Sequence, residues 1–326
     1  MSNVSPLSMA EPAVLIQPTE SDAEIARLRA GVGAAIGDLS RLTRPRIALM
    51  VLATVVTAYW LTGGDRGGGV HLLGLLAGTA LVAASSSIAN QILERDTDRL
   101  MPRTARRPIA AGRLSVAGGW VITAVSLAAG TALATASAGW AAASAAVATW
   151  LLYVIVYTPL KKRTPLNTAV GAVAGALPVA IGWLAADGPA RLAAGEAAGG
   201  LTAAALATVL YLWQFPHFMA IAWLYRRQYA AAGLRMLTVD DPSGLRAAGQ
   251  SLAAALAMIP VSLVLAVPSG SVRLFLAAAV AALVYCGAAV GFAIRRDDAS
   301  ARSLLLVSLG SLLALLTAAV LFGQPR

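Results

Sequence analysis

Apolar stretches of about 17–25 residues, each long enough to cross a bilayer as a helix, recur nine times in this chain. They lie near 45–62, 70–92, 116–134, 138–157, 168–186, 200–222, 247–267, 272–293 and 302–322. Composition agrees: of 326 residues, 58% are hydrophobic and 12% charged, with a mean hydropathy of +0.74. A soluble domain of this length could not bury so much apolar surface, so lipid is the solvent for much of it. The expected fold is all-α: a polytopic membrane protein with nine transmembrane helices around a central cavity, closed by a cytoplasmic polar cap. Glycine, alanine and serine crowd the spans, which suits helices that approach closely in lipid. Only small residues separate 116–134 from 138–157, so these two should form a tight helical hairpin.

Nine crossings put the termini on opposite sides. Assigning alternate loops to the two faces leaves only Arg66, Arg191, Arg273 and Arg326 on one of them. The rest of the 25 lysines and arginines share the face of the N-terminus. Cationic loops stay inside, so that face is cytoplasmic. The same placement argues against a nucleic-acid partner, because no basic and aromatic side chains are interleaved on a soluble surface. Residues 1–43 are polar and include Glu11, Glu20, Asp22, Glu24 and Asp38. They lack the apolar core of a cleavable signal and hold too many acids for a transit peptide. They read as a cytoplasmic tail, with an interfacial helix at 21–41, ahead of a membrane domain at 44–326. The alanine- and arginine-rich, lysine-poor usage points to a bacterial cell inner membrane. The single Cys286 lies in an apolar run and reads as a packed core residue. With only His71 and His217 as histidines, disulfides and multi-histidine or cysteine-cluster metal centres are excluded.

Three cytoplasmic stretches hold more functional groups than a connector needs. In NQILERDTDRLMPRT, Asn90, Glu94 and Asp98 are spaced four and four, which keeps all three on one helix face over two turns. Oxygen ligands in a row at the end of a membrane helix suit a hard cation such as Mg²⁺, which favours one or two carboxylates, waters and phosphate oxygens. Asp96 points elsewhere on the helix, although a frayed end would let it join the row. Arg99, Arg103, Arg106, Arg107 and Arg113 follow, as donors for phosphate or as topology signals paired with lipid headgroups. YTPLKKRTPLN, Tyr157–Asn167, is by itself an ordinary cationic loop. Beside a carboxylate row, its Lys161, Lys162 and Arg163 become the cations that a magnesium-bridged diphosphate requires. The third stretch, Trp213–Leu237, sets His217 after Pro216 among Trp213, Phe215, Phe218 and Trp223. That histidine is a hydrogen-bonded structural residue, a contact for a large planar substrate or a proton-transfer group. Trp223 and Tyr225 also suit an interfacial anchor. The dense loops follow spans two and six, which suggests two similar halves capping one shared cavity.

These residues resemble the protohaem IX farnesyltransferase branch of the UbiA-type intramembrane prenyltransferase superfamily. The carriers are N-x-x-x-E-x-x-x-D-x-x-M-x-R-T-x-x-R-P at Asn90–Pro108 and Y-T-x-x-K-x-R-T-x-x-N at Tyr157–Asn167. To these add G-A-x-P-x-x-x-G-W at Gly175–Trp183, and P-H-F with A-G-x-x-M-L between Pro216 and Leu237. The resemblance implies farnesyl diphosphate and haem B as substrates in the lipid bilayer, Mg²⁺ as cofactor, haem O as product and a downstream haem A synthase as candidate partner. It implies that Asn90, Glu94 and Asp98 bind the metal and diphosphate, with Lys162 and Arg163 completing the catalytic set and Lys161 as the alternative lysine. Arg103, Tyr157, Asn167, His217 and Tyr225 become substrate-binding residues. Gln228, before Tyr229, stands where members of the branch usually carry an acid; Asp240 and Asp241 lie a little downstream. Two other readings stay open: another acceptor, such as a quinone precursor or chlorophyllide, and a transporter. Acids gathered at span ends rather than at mid-membrane count against the transporter.

Overall fold

The computed structural model describes residues 33–64 and 68–324, so the expected interfacial helix at 21–41 falls mostly outside the described residues. The chain divides into a short unit ending at Ser40 and a large one, Arg41–Arg326. The large unit is mostly helical in its described residues, and no strand occurs among them. Its principal helices are α1 (Pro45–Leu61), α2 (Gly68–Leu93), the short α3 (Arg95–Arg99), α4 (Val116–Leu151), α5 (Asn167–Ala176) and α6 (Pro178–Ala185). They continue with α7 (Ala197–Leu224), α8 (Leu245–Val264), α9 (Val272–Arg295) and α10 (Asp298–Phe322).

Seven described helices are long and apolar enough to cross a membrane, or up to eight if Gly33–Thr43 and Pro45–Leu61 form one span. The expected count of nine differs for local reasons. Residues Val116–Leu160 count once, although the backbone breaks at Gly139, with φ 80 and ψ 167. That conformation is accessible to glycine and strained for other residues. The chain has turned back there, as Ser85 on α2 demonstrates: its Oγ donates to the Thr123 carbonyl at 2.9 Å and accepts from Trp150 Nε1 at 3.0 Å. On one straight helix those two residues would be about 40 Å apart. The other shortfall is α1, which has 17 residues.

Small residues set the helix contacts. Gly78 on α2 faces Gly130 on α4, and a Cβ on either would stand 2.7 Å from the other's carbonyl oxygen. In lipid, where apolar burial does not drive association, such backbone contact is a main source of helix attraction. One apolar core joins α7 through α10, with Tyr285 and Phe292 fully buried; a second joins α2 to α4. Cys286 belongs to the first. Leu276, Leu283, Leu306 and Leu313 point outward and are exposed, as lipid-facing side chains should be. Ser115, Ser271 and Asp297 cap the first turns of α4, α9 and α10.

The polar ends are tied together. Met101, just after α3, packs with Ala222, Tyr229, Leu234 and Met236. The Arg235 amide donates to the Lys161 carbonyl at 2.7 Å. All three dense stretches therefore meet at one end of the bundle.

Candidate active site

Beneath that joined end is a cavity of about 670 Å³. Arg44, Glu94, Asp98, Arg103, Arg107 and Lys161 line its polar part. Val82, Ile181, Leu210 and Leu312 are among the apolar side chains lining the remainder.

The carboxylate row survives a nominal helix end. α2 stops at Leu93 and α3 starts at Arg95, yet the Glu94 amide donates to the Asn90 carbonyl at 2.9 Å and the Asp98 amide to the Glu94 carbonyl at 2.7 Å. Those i to i−4 bonds carry the helical phase across the junction and keep the three side chains on one face. Asn90 and Asp98 are fully buried and Glu94 nearly so. Lys161 Nζ donates to Glu94 Oε1 at 2.8 Å, and Arg107 Nη1 grips both Asp98 oxygens at 2.7 and 2.6 Å. Arg107 also stands 4.0 Å from Glu94.

Electrostatics separate the two acids. Burial alone would raise the Glu94 carboxyl, but the charge and hydrogen bond of Lys161, with Arg44 and Arg107 behind them, hold it below its usual value. Burial dominates at Asp98 and keeps its carboxyl above the usual value despite Arg107. Lys161 is buried too, but the Glu94 charge prevails and raises its ammonium. Desolvated charges at this density are costly unless paired, and cavities containing them are where ionic ligands are exchanged.

This charged mouth over an apolar chamber, inside an all-helical bundle, is matched by a known group of proteins. The model of the UbiA prenyltransferase family matches residues 51–322. The chain belongs to the UbiA prenyltransferase family. It is 47% identical to the protoheme IX farnesyltransferase of Rhodopirellula baltica over 69% of this chain and 76% of that protein. It is 38% identical to that of Solibacter usitatus over 83% and 93% respectively. Among solved structures, a UbiA homologue from Aeropyrum pernix K1 superposes with a TM-score of 0.65 at 21% identity, covering 84% of this chain and 98% of that one. A UbiA homologue from Archaeoglobus fulgidus bound to DMAPP and Mg²⁺ gives 0.60 at 16% identity, covering 86% and 99%. These two show the shared fold.

Within this UbiA fold the sequence-derived residues do not all gather. Glu94, Asp98, Arg103, Tyr157, Asn167 and His217 line the cavity. Asn90 sits behind the row, its Oδ1 accepting from Arg44 Nη2 at 3.0 Å and its Nδ2 donating to Thr158 Oγ1 at 3.1 Å. Tyr225 is off the wall but stacks under the Arg103 guanidinium, 4.6 Å from ring centre. Lys162 and Arg163 are a correction: both are exposed, and Lys161 is the cavity lysine. The reason is phase. Tyr153, Tyr157 and Lys161 succeed one another four residues apart on the cavity side, with Lys161 Nζ 4.5 Å from the Tyr157 ring centre. A π-helical segment, Leu152–Tyr157, immediately precedes the lysines.

Two residues escaped the sequence reading. Arg107 appeared only as one of five arginines. Arg44 counted only as tail charge, yet it lines the cavity with a left-handed backbone, φ 49 and ψ 63, just before Pro45. A side chain other than glycine held there, ahead of a proline, is strained. Its signal in the sequence is an arginine abutting the proline that opens a span. Asn167 adds an oriented acceptor: Nδ2 donates to the Thr164 and Arg235 carbonyls at 2.7 and 2.9 Å, leaving the buried Oδ1 unpartnered. Asp96 is exposed, as its spacing implied, and pairs with Arg95 and Arg99.

Proposed function

We propose that the chain transfers the farnesyl group of farnesyl diphosphate to a vinyl group of haem B, forming haem O at the cytoplasmic face of a bacterial inner membrane. The observation that carries this reading is the pairing of Glu94 and Asp98 with Lys161 and Arg107, with Arg44 beside them, above an apolar chamber. The names of the two relatives support the acceptor. The ligands of the Archaeoglobus homologue support an allylic diphosphate with Mg²⁺.

The donor set fits Mg²⁺. Among the described residues no three Asp, Glu, His or Cys side chains cluster as a protein-only metal cage. Two carboxylates completed by waters and substrate oxygens are what this small hard ion accepts. Glu94 and Asp98 would hold it, with Asn90 behind them. Bound there, Mg²⁺ supplies Lewis-acid stabilisation of the leaving diphosphate.

The chain's own groups do the rest. In the resting site Lys161 and Arg107 neutralise Glu94 and Asp98. An entering diphosphate gives those cations new oxygen partners and frees the carboxylates. Cleavage of the allylic C–O bond sends its electron pair to diphosphate, where Lys161, Arg107 and Arg44 stabilise the added charge. The apolar lower wall keeps water from the farnesyl cation until the vinyl π pair forms the new C–C bond. The cation left beside the porphyrin ring is captured by water, which loses a proton and remains as the hydroxyl.

The test is direct: purified full-length chain, haem B and farnesyl diphosphate, with and without Mg²⁺. A more hydrophobic haem should form only when the metal is present. Prenylation of a quinone precursor with none of haem B would sink the assignment.

A further inference from the structure

His217 lies farther along the cavity wall on α7, its ring stacked on Trp213 with centroids 4.7 Å apart. Its Nδ1 is 2.8 Å from Ser308 Oγ on α10. That hydroxyl has one proton and stands 2.6 Å from the Leu305 carbonyl, to which it donates. Ser308 Oγ must then accept from His217, so the imidazole carries its proton on Nδ1. Nε2 is left with a bare lone pair, and among the described residues it has no hydrogen-bond partner. The scaffold is fixed: Trp213 Nε1 donates to the Ser308 carbonyl at 2.8 Å, and the buried Tyr285 hydroxyl donates to the Trp213 carbonyl at 2.7 Å. An imidazole oriented through one nitrogen and open at the other is the arrangement by which proteins present histidine to a metal.

We propose that His217 Nε2 ligates the iron of the haem substrate, and that Ser308 is the positioning residue that sets the tautomer and direction of the ring. This rests on the haem B reading above. His217 is eight residues before Tyr225, about 12 Å of helix rise. An iron held there places the haem in the same chamber, along α7 from Tyr225 and the Arg103 stacked on it.

The experiment loads the detergent-solubilised full-length chain with ferric haem B or, separately, metal-free protoporphyrin IX. Absorption and resonance Raman spectra report the ligation. Wild type should show imidazole-ligated iron. His217→Gly should lose that signature, and added imidazole should restore both it and haem O formation, which also shows that the variant is folded. Ser308→Ala should weaken haem binding by about tenfold to a hundredfold, the usual effect of removing an outer-shell partner. Affinity for metal-free porphyrin should hold in both variants. An unchanged iron spectrum in His217→Gly, or equal losses for haem and metal-free porphyrin, would overturn the proposal while wild-type haem O formation continued. Failure of the farnesyl-transfer reading looks different: iron ligation with no haem O.

Discussion

The two polar loops that close the cavity place their acids in opposite ways. In the first, Glu94 and Asp98 are buried; Asp98 pairs with Arg107 nine residues on, and Glu94 reaches across the bundle to Lys161, 67 residues away. In the second, Asp240 pairs with Arg235 five residues off, and Asp241 accepts from Ser243 and the Arg246 amide. The Ser243 hydroxyl bond, then the Arg246 amide, hold the Asp241 carboxyl below its usual value at the surface. Gln228 in the same loop has a buried Oε1 without a partner, and no acid enters the chamber from that side. Pairs left at the surface shape a loop; buried pairs, one of them drawn from a distant element, bring desolvated charges into one chamber.

That contrast breaks most readily at the acids. Asp98→Asn and Glu94→Gln should each lower haem O formation by about a hundredfold to a thousandfold, the scale of losing one charge-stabilising group, in protein that still inserts into membranes. Asp240→Asn should stay within about twofold, as surface changes do. Comparable losses at Asp240, read by extracting haems from expressing cells, would erase the distinction between the loops.

Next in size are the lysines. Lys161→Ala leaves Glu94 with Arg107, 4.0 Å away. Stranding a buried charge in this way costs about 3–5 kcal/mol, so both thermal stability in detergent and turnover should fall sharply. Lys162→Ala should move neither beyond about twofold. Arg44→Lys keeps the charge but loses the guanidinium fork; an increase of about tenfold in KM for farnesyl diphosphate, equivalent to roughly 1.4 kcal/mol, is expected with kcat less affected.

The smallest effect sharpens the picture within the first loop itself. Glu94, depressed in the fold, contributes stability present above its unfolded value of 4.5 and lost as pH falls through its lower folded value. Asp98 is raised above 3.8, so its ionised form costs stability, and that cost is relieved as pH falls through its folded value. Acid should therefore reduce kcat/KM, through Asp98 protonation, before it melts the protein. Coincident pH profiles for activity and melting would contradict this ordering.

Much of the molecule was legible beforehand. The hairpin at 116–157 followed from small residues between apolar runs, and the Asn90, Glu94, Asp98 row from a spacing of four. Lys161 could not be told from Lys162, because adjacent lysines in a cationic loop carry the same charge and only the fold shows which one faces the cavity. Arg44 and Arg107 were hidden by doing double service, since any arginine at a span end already satisfies the topology rule. The nine-span count depended on Gly139, a break that composition suggested and backbone angles located.

The sequence alone determined the solvent, the helical period and which side chains share one helix face, because these depend on neighbours within a few residues. Only tertiary structure decided who stands opposite. Arg44 meets Asn90 across 46 residues, and His217 meets Ser308 across 91. Such meetings are set by how closely packed small-residue helices cross, which a periodicity in one segment cannot specify.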